Sequence, residues 1–114
     1  MNFKEKIFIV AEIGNNHEGN IINARKLIYK AKQSGADAVK FQHFKAETIV
    51  SDYGFKKLGK QQSHQKKWKK SVFEVYKDAS INNSWTPILK KECQKFKVDF
   101  LTSPYDFEYI DTVN

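Results

Sequence analysis

Glu12, Lys40 and Gln42 are the residues whose types and places could do chemistry together. A carboxylate and an ammonium at one edge suit an anionic substrate and a proton transfer. A lysine beside a carboxylate is also a stable structural pair, and both readings stand at this stage. Ser103 offers a hydroxyl that could bond a phosphate or a sugar, or could serve only to cap a helix. His17 is either an acid–base group or ligand, or a loop histidine bonded to backbone. Asn15 and Asn16 could contact a ligand or shape a turn.

The elements that must carry these groups alternate between two periods. Ile7 to Ile13 is a nearly continuous apolar run closed by Gly14, as expected of a strand buried on both faces in a parallel sheet. Asn20 is a good N-cap for a helix with Ile21, Ala24, Leu27, Ile28 and Ala31 at helical spacing. Gly35 stands where a left-handed terminating residue is expected. Ala38 to Gln42 is a second strand, completing a βαβ unit. Residues 43–63 read as a long polar loop broken by Gly54 and Gly59. His64 to Ala79 is expected to be helical, with Trp68, Val72, Phe73, Val75 and Tyr76 apolar. A turn at Asn82-Asn83-Ser84 precedes a helix with Thr86 as N-cap and Pro87 in its first turn. That helix runs to about Lys97, with Ile88, Leu89, Cys93 and Phe96 inward. Val98 to Ser103 is the third strand, and Tyr105 to Val113 begins another helix.

This alternation predicts α/β architecture with a parallel sheet. A doubly wound open sheet and a barrel are both compatible with it. The first strand is followed by an amide-rich segment, not by the glycine fingerprint of a dinucleotide fold, which weakens a Rossmann reading. Strand parity then sorts the side chains. Phe8, Val10 and Glu12 share one face. Lys40 and Gln42 share one face with Ala38, while Val39 and Phe41 take the other, which must pack on helices. The polar face suits the mouth of a barrel, where active sites lie at the C-terminal ends of the strands.

The net charge of +7 has a local source. Seven of the 20 basic residues are lysines between Lys56 and Lys70, where there is no acid; elsewhere 13 basic residues meet 13 acidic ones. Such a segment could bind nucleic acid or another anion, or be a solvated loop and helix face. It lacks arginine and has one aromatic, Trp68, which argues for the solvated reading. The lone Cys93 cannot close an internal disulfide, and no histidine is spaced with it as a zinc motif. No signal segment or membrane-length apolar run is evident, so a cytoplasmic location without membrane or nucleic-acid partners is expected.

Three blocks carry a family resemblance: AEIGNNHEGN at 11–20, GADAVKFQHFKAETIVS at 35–51 and FLTSPYDFE at 100–108. In this order and spacing they resemble the opening of sialic acid synthases, the group that includes N-acetylneuraminate, legionaminate and pseudaminate synthases. The resemblance implies a (β/α)8 TIM barrel and condensation of phosphoenolpyruvate (PEP) with an N-acylated amino sugar. It implies a divalent metal, Mn²⁺ or Mg²⁺, acting as Lewis acid. By position, Glu12 is similar to the family acid that contacts the amino sugar and assists proton handling. Lys40 is similar to a lysine that binds the PEP anion, and Gln42 to a substrate-contacting amide. Ser103 stands where many relatives have threonine in a Ser-Thr-Pro triplet; here the order is Thr102-Ser103-Pro104.

A complete barrel takes about 250 residues. The 114 residues here are therefore expected to be a partial TIM barrel, about three parallel strands with their helices. The later barrel strands, the metal ligands and the family's small antifreeze-like domain are expected to lie outside it. On that reading the chain alone is inactive, and its partner is a complementing downstream chain or a second copy. Two other readings compete: a non-catalytic remnant or small basic binding module, and a different PEP-using or aldolase-type barrel.

Overall fold

A computed structural model describes residues 6–57 and 69–113. The elements run β1 (Val10–Gly14), α1 (Ile21–Gln33), β2 (Ala38–His43), α2 (Ala46–Ile49), α3 (Asp52–Lys57), α4 (Val72–Ala79), α5 (Trp85–Phe96), β3 (Asp99–Pro104) and α6 (Phe107–Val113). The three strands form one parallel sheet in the order β1-β2-β3.

One face of the sheet is covered by α1 and α5. Val39 and Phe41 from β2 meet Ile13, Ala24, Ile28, Leu89 and Cys93 in a single core. Burial inside that core pushes the Cys93 thiol up to about 12, leaving it an inert apolar filler. The other face carries Val10, Glu12 and Leu101, all exposed. The parity expected for β2 is therefore realised. The expectation of a first strand buried on both faces is not. Ile7, Phe8 and Ile9 precede β1, and they and Val10 are 80%, 56%, 52% and 41% exposed. An apolar run shows that a segment can be buried, but burial needs an element standing opposite.

Local chemistry sets the helix ends. Asn20 caps α1 by accepting from Ile22 and Asn23 N–H. Gly35 takes φ +90°, which releases the chain into β2. The expected loop after β2 instead contains α2 and α3. The helix expected from His64 begins at Val72, with residues 64–68 outside the described set. There Ser71 and Glu74 form a reciprocal capping box, satisfying two backbone N–H groups that periodicity alone overlooks. For α5 the N-cap is Ser84, not Thr86; Thr86 lies inside the first turn and is buried. The helix stops at Phe96, because Lys97 turns left-handed, and Ile88 faces outward at 43% exposure.

Two consequences are measurable. Since α4 buries no residue completely, its cap carries much of its local order. Ser71→Ala should cost about 1 kcal/mol, read as faster amide exchange through Val72–Ala79; unchanged exchange there would refute it. Gly19, at φ +65°, presses on the last turn of α4, and an added Cβ would stand 2.1 Å from the Asp78 carbonyl oxygen. Gly19→Ala should therefore cost about 2 kcal/mol in urea unfolding, from left-handed strain plus the displaced helix end. Stability equal to that of the parent would contradict this packing.

Candidate active site

The C-terminal ends of the strands bring the polar residues to one edge. Glu12 and Lys40 are register partners in β1 and β2. Their side chains form an ion pair with Lys40 Nζ 2.9 Å from Glu12 Oε2. The hydrogen bond and charge of Glu12 hold the Lys40 ammonium above its ordinary value, with a smaller contribution from Tyr105. Both side chains remain partly open to solvent, so the pair contributes little to folding and is free to meet a ligand.

Beside the pair, Asn15 Nδ2 donates to Gln42 Oε1 at 3.1 Å. The β1 ladder shifts by one residue between Glu12 and Gly14, a bulge that re-aims the chain at this point. Gly14 follows at φ +53° with Glu12 and Gln42 beside it. Gln42 in turn is the register partner of Ser103 on β3. The structure thus places Glu12, Lys40, Gln42 and Ser103 along one edge, with Asn15 bonded to Gln42. A cleft of about 480 Å³ adjoins it, lined by Asn15, Asn16 and Glu18 and by Val75, Tyr76, Asp78 and Ala79 of α4.

The two loop readings separate. Asn16 bonds the Ile13 carbonyl through both backbone and side chain, so it shapes the turn. His17 is completely buried, and its Nδ1 accepts from Gly19 N–H at 3.1 Å. Its ring stands edge-on to Trp85, and burial lowers its proton affinity. It is a staple of the loop and does not join the polar edge.

His43 was not singled out from the sequence. It is buried, with Nδ1 2.6 Å from Thr102 Oγ1 and Nε2 2.8 Å from Thr86 Oγ1. Burial, then the nearby His17 and Lys90, lowers its pKa to about 4. The available signal was parity: His43 continues the covered face of Val39 and Phe41 with a polar residue.

These groups do not fit a metal centre. Both His43 nitrogens are engaged, His17 Nδ1 is bonded to backbone, and the Glu12 carboxylate is paired with Lys40. Among the described residues no group of three or more histidine, cysteine, aspartate or glutamate side chains could hold an ion. None of the described helices is long and apolar enough to cross a membrane. Most of the Lys56–Lys70 segment lies outside the described residues.

Parallel strands with helices on one face, and polar groups at the strands' C-terminal ends, are what one segment of a (β/α) barrel presents. The chain belongs to the NeuB family, whose sequence model matches residues 27–114. It is 35% identical to an N,N'-diacetyllegionaminic acid synthase of Legionella pneumophila across 91% of this chain and 29% of that protein. A synthase of the same description from Campylobacter jejuni is 34% identical, across 96% of this chain and 32% of that protein. The fold aligns with part of the barrel of a Bacillus subtilis spore coat polysaccharide biosynthesis protein, SpsE, with TM-score 0.62, 31% identity and coverage of 95% and 26%. A Leptospira borgpetersenii N-acetylneuraminic acid synthetase shares the fold with TM-score 0.75 at 24% identity, over 96% of this chain and 33% of that one. The chain thus spans about a third or less of the length of these relatives.

Proposed function

We propose that residues 1–114 form the first part of a nonulosonic acid synthase barrel and supply one side of its substrate site. In the reaction, C3 of PEP bonds to the aldehyde carbon of an open-chain N-acylated amino sugar. Water adds at C2, and the C2–O bond to phosphate breaks, giving a 2-keto acid and inorganic phosphate. Lys40 meets the PEP anion. Glu12 contacts the amino sugar and assists proton handling: it holds the Lys40 ammonium, whose proton passes to the oxygen that was the aldehyde. Gln42, steadied by Asn15, bonds the sugar, and Ser103 gives a hydroxyl to the phosphate or the sugar. The divalent metal that the resemblance implies, Mn²⁺ or Mg²⁺, would act as a Lewis acid on the aldehyde and would be held by residues other than these. We place the protein in the cytoplasm, where PEP is made.

The observation that carries this reading is the Glu12–Lys40 pair at the C-terminal strand ends, with Gln42 and Ser103 alongside. The reading is tested by phosphate release from PEP with a panel of N-acyl amino sugars. The 114-residue chain alone should give none. A chimera joining residues 1–114 to the remaining strands of the Legionella relative should give turnover. Turnover by the isolated chain would overturn the assignment of a partial site, and a folded chimera without turnover would overturn the assigned activity.

A further inference from the structure

We infer that His43 is a positioning residue that fixes Ser103 from both sides, through Thr102 before it and the Tyr105 N–H after it, with Thr86 anchoring the ring; this rests on the substrate-site reading of Ser103. Along β3, Thr102 points to the covered face, where its hydroxyl meets His43 Nδ1 at 2.6 Å. Ser103, the next residue, points to the open face opposite Gln42. Two residues further on, the Tyr105 N–H donates to the His43 carbonyl at 2.9 Å. His43 therefore grips the chain immediately before and shortly after Ser103-Pro104, once by side chain and once by backbone. Its other ring nitrogen reaches Thr86 Oγ1 at 2.8 Å, tying the same point to the first turn of α5.

An apolar side chain would fill this space without the cost of desolvating an imidazole. What the imidazole adds is direction. A neutral ring has one donor and one acceptor nitrogen, and two hydroxyls satisfy them in either tautomer. Phe100 and Tyr109 stand edge-on to the ring and close off other orientations. Three elements are thereby held at one atom-to-atom geometry directly beneath the rim. A site group held this way meets its ligand without first being ordered. The order Thr102-Ser103 follows from the same contacts: the inward hydroxyl serves His43, and the outward one is left for a ligand.

The test uses the chimeric barrel that carries residues 1–114, with PEP titrated at millimolar concentration and followed by amide chemical shifts. Thr102→Val should weaken PEP binding about tenfold and speed exchange of the Tyr105 amide about tenfold. Thr102→Ser, which keeps the hydroxyl, should stay within about twofold of the parent in both. Ser103→Ala and Lys40→Met serve as the reference for the site itself. If these two weaken binding and folded Thr102→Val does not, the positioning role is overturned while the site reading survives. If parent binding is absent, or indifferent to Ser103 and Lys40, the site reading fails and the positioning role falls with it.

Discussion

In a chimeric barrel carrying residues 1–114, Lys40→Met is expected to lower kcat/KM for PEP by roughly 10²–10³-fold, the scale of losing one preorganised charge at a developing anion. Methionine keeps the apolar stem and removes the ammonium. The parent ammonium is partly exposed and paired with an exposed carboxylate, so the fold should tolerate the change. Glu12 is left without its partner, and the ammonium proton is lost along with the anion contact. Lys40→Arg tests the geometry separately. It restores charge, but a planar fork replaces a compact ammonium 2.9 Å from Glu12. Recovery with arginine should therefore be partial. Steady-state phosphate release decides the matter, with circular dichroism to show that each variant is folded. Lys40→Met activity within threefold of the parent would remove Lys40 from the proposed mechanism.

Acid should destabilise the isolated chain well before its carboxylates are protonated. Unfolded, the His43 imidazole takes a proton below about pH 6.5; folded and buried, it does so only at about 4. Between these values the unfolded chain holds the extra proton, so stability falls as pH falls. The stabilising contribution is complete above about pH 6.5. It declines through the window and is spent near pH 4, a loss of about 3 kcal/mol. Burial lowers His17 in the same direction, so its loss adds to that of His43. Asp37, held low first by its hydrogen bond from Lys6, acts in a different window, below its ordinary value near 3.8. Urea unfolding at pH 7.5, 6, 5 and 4 measures the decline. His43→Gln should start less stable at pH 7.5 and show a flatter profile, the gap narrowing toward pH 4. Parallel profiles for parent and variant would mean that His43 does not carry this dependence.

The polar edge shows how far local sequence reaches. Because side chains alternate along a strand, Ala38 to Gln42 already separates Lys40 and Gln42 from Val39 and Phe41. The structure keeps that separation, with the latter pair fully buried. Asn20 and Gly35 were legible for a similar reason, since a cap and a positive φ depend on a few neighbouring backbone groups. The start of α4 was equally local. The spacing of Ser71 and Glu74 encodes the capping box, and apolar periodicity had run past it.

Contacts between distant segments were decided by the tertiary structure. His43 meets Thr86 and Thr102 across 43 and 59 residues, and Asn15 meets Gln42 across 27. No short-range pattern marks Thr86 as an imidazole's partner; its place before a proline suggests a cap instead. Exposure of the apolar run at Ile7–Val10 was likewise undetermined locally, because burial is a property of two surfaces and a run of residues describes one. The sequence by itself determined the strand–helix alternation and which residues share a face with Lys40. Only the tertiary structure brought the Glu12 carboxylate onto Lys40, tied Asn15 to Gln42, and set His43 under Ser103, because those distances depend on strand register and on how α5 packs against the sheet.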